Sequence, residues 1–188
     1  FDHVAGAAAL KPLLPNAKFV MTQKGWEEAQ ESAANSKGRR AWKMIPTDVV
    51  AKDGDMFEVG DNTIRVYETP GHTWGTASYT YDVKDGDEKY RAVTIGGLGL
   101  NAIEGPEQVE AYIKSVDRIA GLAEQGGENV VVHLTTHGFS NNMEEDRLKL
   151  ATRKAGEPNV FVNPKGLTNQ IVGLRERAVK RLEVEKNK

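Results

Sequence analysis

Apolar and polar positions change register several times along the chain, and each change marks an element. Residues 63–68 alternate at the two-residue period of a half-buried strand, and the β-rich runs 77–83 and 91–95 follow it. The turn signals at 52–55 and 59–62, both built on Gly and Asp, set off a further short strand at 56–58, which predicts a β-meander. Asp85, Gly86 and Asp87 join the next two strands as a hairpin with an exposed loop. Residues 129–136 are almost continuously apolar, as in a strand buried on both faces. Helical spacing recurs at 4–14, closed by Pro15 and Asn16, and at 25–34, 106–125, 144–154 and 167–185. A short strand at 17–22 and an extended segment at 46–50 interleave with the first two helices. Strands and helices alternate in this way without repeat, linker or low-complexity segment, which predicts an α/β fold forming one domain over residues 1–188.

Composition narrows the functions this fold can carry. The 188 residues are 39% apolar, enough for one sizeable core. The 25 basic and 27 acidic side chains leave a formal charge of −2 and no field for a polyanion, so no nucleic-acid partner is expected. No apolar run approaches the length of a membrane span, so no membrane partner is expected either. Cysteine is absent from the sequence. Disulfides, thiolate ligands and a cysteine nucleophile are therefore excluded, and histidine and carboxylate remain as metal ligands.

Four histidines are available for that chemistry. Pro70 fixes its own backbone and Gly71 permits a positive φ, so the chain turns sharply and leaves His72 at a strand end. A loop histidine taken alone most often bonds a backbone carbonyl. The company of His72 changes that reading: His3 stands directly after Asp2, and His137 ends the most apolar strand just before Gly138. His133, inside that strand, reads as a core histidine with its hydrogen bonds satisfied. The glycine-dense stretch 96–101 matches neither a dinucleotide fingerprint nor a P-loop, and reads instead as close backbone approach near a site.

These residues together resemble the metallo-β-lactamase fold superfamily, whose signature is HxHxDH, then a GH after a β-meander, then a histidine ending a late strand. Asp2 and His3 match the closing DH, and Phe1-Asp2-His3-Val4-Ala5-Gly6 is similar to the family's FDHVGG. The run TPGHTWGTASY from Thr69 is similar to TPGHTPGSTSW, and VVHLTTHGF from Val131 resembles the strand that supplies the last histidine. The C-terminal part, with Gly156, Pro158, Asn159, Phe161, Asn163 and Pro164, is similar to the tail of the third subclass of metallo-β-lactamases.

The resemblance implies an αββα sandwich and a zinc-dependent hydrolase with two zinc ions per complete chain. A metal-bound hydroxide would attack a carbonyl of a small-molecule substrate, a β-lactam-like amide or an ester. It implies that Asp2, His3 and His137 hold the second zinc, that Asp2 also orients the nucleophile, and that His72 is the third ligand of the first zinc. Ser140 and Asn142 would offer polar groups to substrate. The resemblance begins inside the motif, so the HxH half and the family's N-terminal strands are expected to precede Phe1. At Gly96 and Gly97 the chain departs from the bridging Asp or Asp-Ser of the family. The same fold acting on a thioester, lactone or phosphodiester is the alternative, and an inactive fragment or non-catalytic binding domain is a third reading. A periplasmic or secreted location is the family's implication.

Overall fold

The computed structural model describes residues 1–124 and 127–188. The chain opens on a helix of a single turn, α1 (Ala7–Leu10), much shorter than the predicted 4–14. Pro12 removes a backbone donor where a second turn would need one, and Leu13 and Leu14 are exposed, so no packed apolar stripe extends it. Strand β1 (Val20–Thr22) runs directly into α2 (Gln23–Asn35) and pairs in parallel with β2 (Val49–Ala51). Thr22 makes that junction: its hydroxyl accepts from Gly25 N at 3.0 Å, capping α2. Buried Trp26 then ties α2 to the pair by donating its indole N–H to the Val49 carbonyl at 2.8 Å.

The second sheet is the predicted meander with one strand added. β3 (Met56–Val59), β4 (Asn62–Glu68), β5 (Ala77–Asp85) and β6 (Glu88–Thr94) lie antiparallel in chain order. Gly60 and Gly86 take positive φ at the two tight turns, as hairpins of this length require. The chain then crosses over through α3 (Gly105–Ala123) and returns as β7 (Val130–His133), parallel to β6. The predicted end of this helix at Gln125 lies outside the described residues. β7 is shorter than the predicted 129–136 because its partner ends at Thr94, after which Gly97 turns away with φ 63°. Two more helices follow, α4 (Met143–Ala151) and α5 (Pro164–Lys186). Asn163 caps the latter, accepting from Gly166 N at 2.8 Å, with Pro164 in the first turn.

The core lies where α3 and α5 pack together against the β6–β7 side of the sheet. Val109, Tyr112, Val116 and Ile119 recur at helical spacing on α3, and Leu167, Ile171, Leu174 and Ala178 on α5; Val93, Ile95 and Val130 supply the sheet side. Just before β7 sits Glu128, which gathers three strands. It accepts from Thr80 Oγ1 at 2.6 Å, Arg91 Nε at 2.8 Å and the Tyr67 hydroxyl. Burial pushes the Glu128 carboxyl up, but those hydrogen bonds and the Arg91 charge outweigh it and hold it below the usual carboxylate range. Among the described residues no helix is long and apolar enough to cross a membrane.

Candidate metal centre

Asp2, His3 and His137 come together from two distant parts of the chain. His3 Nε2 and His137 Nε2 face each other at 3.0 Å, and Asp2 Oδ2 lies 3.6 Å from the first and 3.5 Å from the second. Ligand atoms about 2.0–2.2 Å from a tetrahedral metal stand about 3.3–3.6 Å from one another; the two distances from Asp2 fall in that range, the 3.0 Å between the histidines is shorter, and the donor types are those of a zinc shell. Burial alone would raise the Asp2 carboxyl, but its own backbone N–H and the adjacent His3 and His137 hold it below its ordinary value. It is therefore ionised throughout the neutral range, as a ligand must be.

His137 does not end a strand, as the sequence reading expects. It lies four residues beyond His133, at the entry to a single 3₁₀ turn (Gly138–Ser140). Ser140 N donates to the His137 carbonyl at 2.9 Å and closes that turn. The exposed Phe139 ring lies 5.2 Å from the His137 ring and tilted by 31°, an apolar surface beside the donor set. Asn142 follows with φ 58°, which asparagine tolerates, and starts α4. It lines a cavity with His133 rather than joining the three donors.

His72 is not among the three clustered donors. Its Nδ1 lies 2.8 Å from the Gly99 carbonyl, and because a carbonyl only accepts, Nδ1 carries the proton and Nε2 keeps its lone pair. That is the tautomer a metal-ligating imidazole uses. α3 clamps the loop that carries it: Gln108 Nε2 donates to the Gly71 carbonyl at 2.9 Å, and Ser115 Oγ to the Pro70 carbonyl at 2.7 Å. A Cβ on Gly71 would meet Tyr112 Cα at 2.3 Å, and one on Gly97, where φ is 63°, would meet His72 Cβ at 2.2 Å. The glycine-rich stretch is thus close backbone approach around His72. Fully buried Ser78 joins the two loops, since its hydroxyl pairs with Thr69 Oγ1 at 2.8 Å and accepts from Gly96 N at 3.0 Å.

Sequence reading singled out none of Gln108, Ser115 and Ser78. The signal available for the first two was polarity on the otherwise apolar face of α3, beside Val109, Tyr112 and Val116.

The chain matches no family model. Two solved structures superpose on nearly all of it. A subclass B3 metallo-β-lactamase of Bradyrhizobium japonicum covers 97% of this chain and 69% of its own at 24% identity, with a TM-score of 0.76. A native metallo-β-lactamase of Legionella gormanii covers 100% and 72% at 24% identity, with a TM-score of 0.80. The architecture is therefore the metallo-β-lactamase fold. Hydroxyacylglutathione hydrolase of Rhodopseudomonas palustris is 39% identical over 116 residues, a stretch spanning 60% of this chain and 38% of that protein.

Proposed function

We propose that the chain carries the metal centre of a zinc-dependent hydrolase acting on a small carbonyl compound. The observation that carries this reading is the convergence of Asp2 Oδ2 with the Nε2 atoms of His3 and His137 at 3.0–3.6 Å, in a fold shared with metallo-β-lactamases. Zinc held by these residues would supply Lewis-acid chemistry and a bound water of lowered pKa, about 7. His3 and His137 would hold it through neutral imidazoles. Asp2, held ionised, would also accept a hydrogen bond from the attacking water and orient it. His72, with Nε2 bare and Nδ1 anchored, is disposed to serve as one ligand of the other zinc, the first of the two that the resemblance implies. Phe139 gives the substrate an apolar surface, and Ser140 and Asn142 give it polar groups in the segment after His137.

A β-lactam-like amide or an ester is the first substrate class. A thioester is the second reading, favoured by the stretch shared with the hydroxyacylglutathione hydrolase. Parallel assays of the zinc-loaded protein on a chromogenic cephalosporin and on a hydroxyacyl-glutathione thioester separate the two. Hydrolysis that a chelator abolishes and zinc restores is the expected result. Protein that binds zinc stoichiometrically yet cleaves neither compound, nor a simple ester, would overturn the proposal.

A further inference from the structure

The segment between α2 and β2 is dense in positive charge. Residues 32–47 hold Lys37, Arg39, Arg40 and Lys43 and no acid, a charge of +4 in a chain whose formal charge is −2. All four side chains are exposed, and none enters an ion pair among the described residues. Arginines elsewhere in the fold mostly do, as Arg91, Arg118, Arg153 and Arg175 show. A solvated basic loop needs no ligand to explain it. This loop is in addition held in one shape and placed beside the donor set.

Ser36 holds it. Its hydroxyl donates to the Ala33 carbonyl at 2.7 Å and accepts from Trp42 N at 3.0 Å, which ties the end of α2 to the far side of the loop. Between them Ala41 N closes a 3₁₀ turn (Gly38–Arg40) onto the Gly38 carbonyl at 3.1 Å, and buried Ile45 roots the segment that follows.

Trp42 places it. Its ring meets the Phe1 ring edge to face, with 6.0 Å between centroids and 77° between planes. Phe1 directly precedes Asp2, so the basic loop lies one aromatic pair away from the donors. The exposed Phe139 ring flanks the same donors through His137.

The nature of the ligand follows from what the loop offers. Ala41 N and Trp42 N are engaged in the loop's own bonds, so recognition falls to side chains rather than to a cradle of backbone N–H groups. Arginine presents a planar fork that pairs with a carboxylate through two parallel hydrogen bonds, and lysine adds charge. The bordering acids leave this field intact, because Asp48 is engaged by Lys11 and Glu31 lies back on α2.

We propose that Arg39 and Arg40, backed by Lys37 and Lys43, bind a carboxylate carried by the substrate, so that small anionic acyl compounds are hydrolysed in preference to neutral ones. The substrate class rests on the hydrolysis proposed above, whereas the carboxylate site does not.

4-Acetoxybenzoate and 4-acetoxybenzamide place a carboxylate or a neutral amide of nearly the same shape across the ring from the ester that is cleaved. For the zinc-loaded protein, kcat/KM is expected to be about tenfold higher on the benzoate at about 10 mM ionic strength, and about twofold or less at about 0.5 M, where salt screens exposed charges. Arg39→Gln/Arg40→Gln should reduce the low-salt ratio to about twofold or less. Lys114→Gln/Lys180→Gln, which removes the same charge from exposed positions on α3 and α5, should keep it. A second arm needs no turnover: 4-hydroxybenzoate and 4-hydroxybenzamide are titrated into the protein without added zinc, and the Trp42 indole N–H resonance is followed by NMR. The benzoate is expected to saturate at about a tenth of the benzamide concentration, and the arginine variant to lose that difference. If neither ester is cleaved, the hydrolase reading fails and the second arm alone decides the site. Equal kcat/KM on the two esters would overturn the substrate class. Equal binding of the two phenols, or a preference that survives in the arginine variant or disappears equally in the lysine one, would overturn the site.

Discussion

The Nε2 atoms of His3 and His137 stand 3.0 Å apart although 134 positions separate them along the chain. Two imidazole nitrogens at that distance either share one proton or both turn lone pairs toward a common cation. Zinc titration followed by calorimetry distinguishes these. Saturable binding is expected, and His3→Ala and His137→Ala should each weaken it by about a hundredfold or more. Because zinc binds the folded state, melting should also shift upward, by about 2.7 kcal/mol of stability at a hundred times Kd. Unchanged affinity in both variants would remove the site.

Turnover separates orienting from holding. Asp2→Asn keeps the size of the side chain but removes its negative charge, and a loss of about a hundredfold in kcat is expected. Asn142→Ala touches at most substrate binding, so a rise of a few-fold in KM with kcat unchanged is expected. Steady-state kinetics on whichever substrate the assays identify provides the comparison, and the reverse ranking would move the chemistry away from Asp2.

Packing around His72 predicts a contrast between two glycines of nearly equal φ, Gly97 at 63° and Gly86 at 61°. An added Cβ at Gly86 meets nothing within 4 Å, whereas at Gly97 it meets His72 Cβ at 2.2 Å. Gly86→Ala should therefore cost only the left-handed conformation, about 1 kcal/mol. Gly97→Ala adds overpacking and should cost about 2–4 kcal/mol. Urea unfolding midpoints measure both, and equal losses would contradict the close approach.

Acid should destabilise the fold through His133. Its pKa falls from 6.5 in the unfolded chain to about 4 in the native one because burial disfavours the charged ring. Between those values the unfolded state binds the extra proton, so its contribution is complete above pH 6.5, falls as pH is lowered and levels off below about pH 4. At about 1.4 kcal/mol per unit the whole change is about 3 kcal/mol. Subtracting the pH profile of His133→Phe removes the carboxylates common to both proteins. A difference that stays flat from pH 7 to 4 would show the ring to be solvated.

Residues that act locally were the legible ones. Gly60 and Gly86 announced their turns, the apolar spacing of Val109, Tyr112, Val116 and Ile119 announced α3, and helical spacing announced α5 from residue 167, three residues after Pro164 where it starts. The superfamily motifs pointed to Asp2, His3 and His137, which the fold brings into one group, and to His72, which it holds apart against the glycine-rich loop. What escaped depends on neighbours far along the chain. Nothing around Glu128 says that Tyr67, Thr80 and Arg91 will converge on it. The shortness of β7 follows from where β6 stops. The N-terminal helix stops short of the 4–14 spacing because Pro12 lacks the donor that a second turn needs.

The separation of His3 from His137 also has a kinetic side. The strands of the meander are neighbours in sequence and can pair after closing short loops, whereas bringing His3 to His137 must fix a span of 134 positions. Closure entropy grows as about 1.5RT ln n, so that contact gains nothing until the intervening chain is already ordered. Competence to capture a metal should then appear only in the last refolding phase, after the indole of Trp26 has found Val49. A zinc-sensitive dye followed beside tryptophan fluorescence in stopped flow would register the two events in that order.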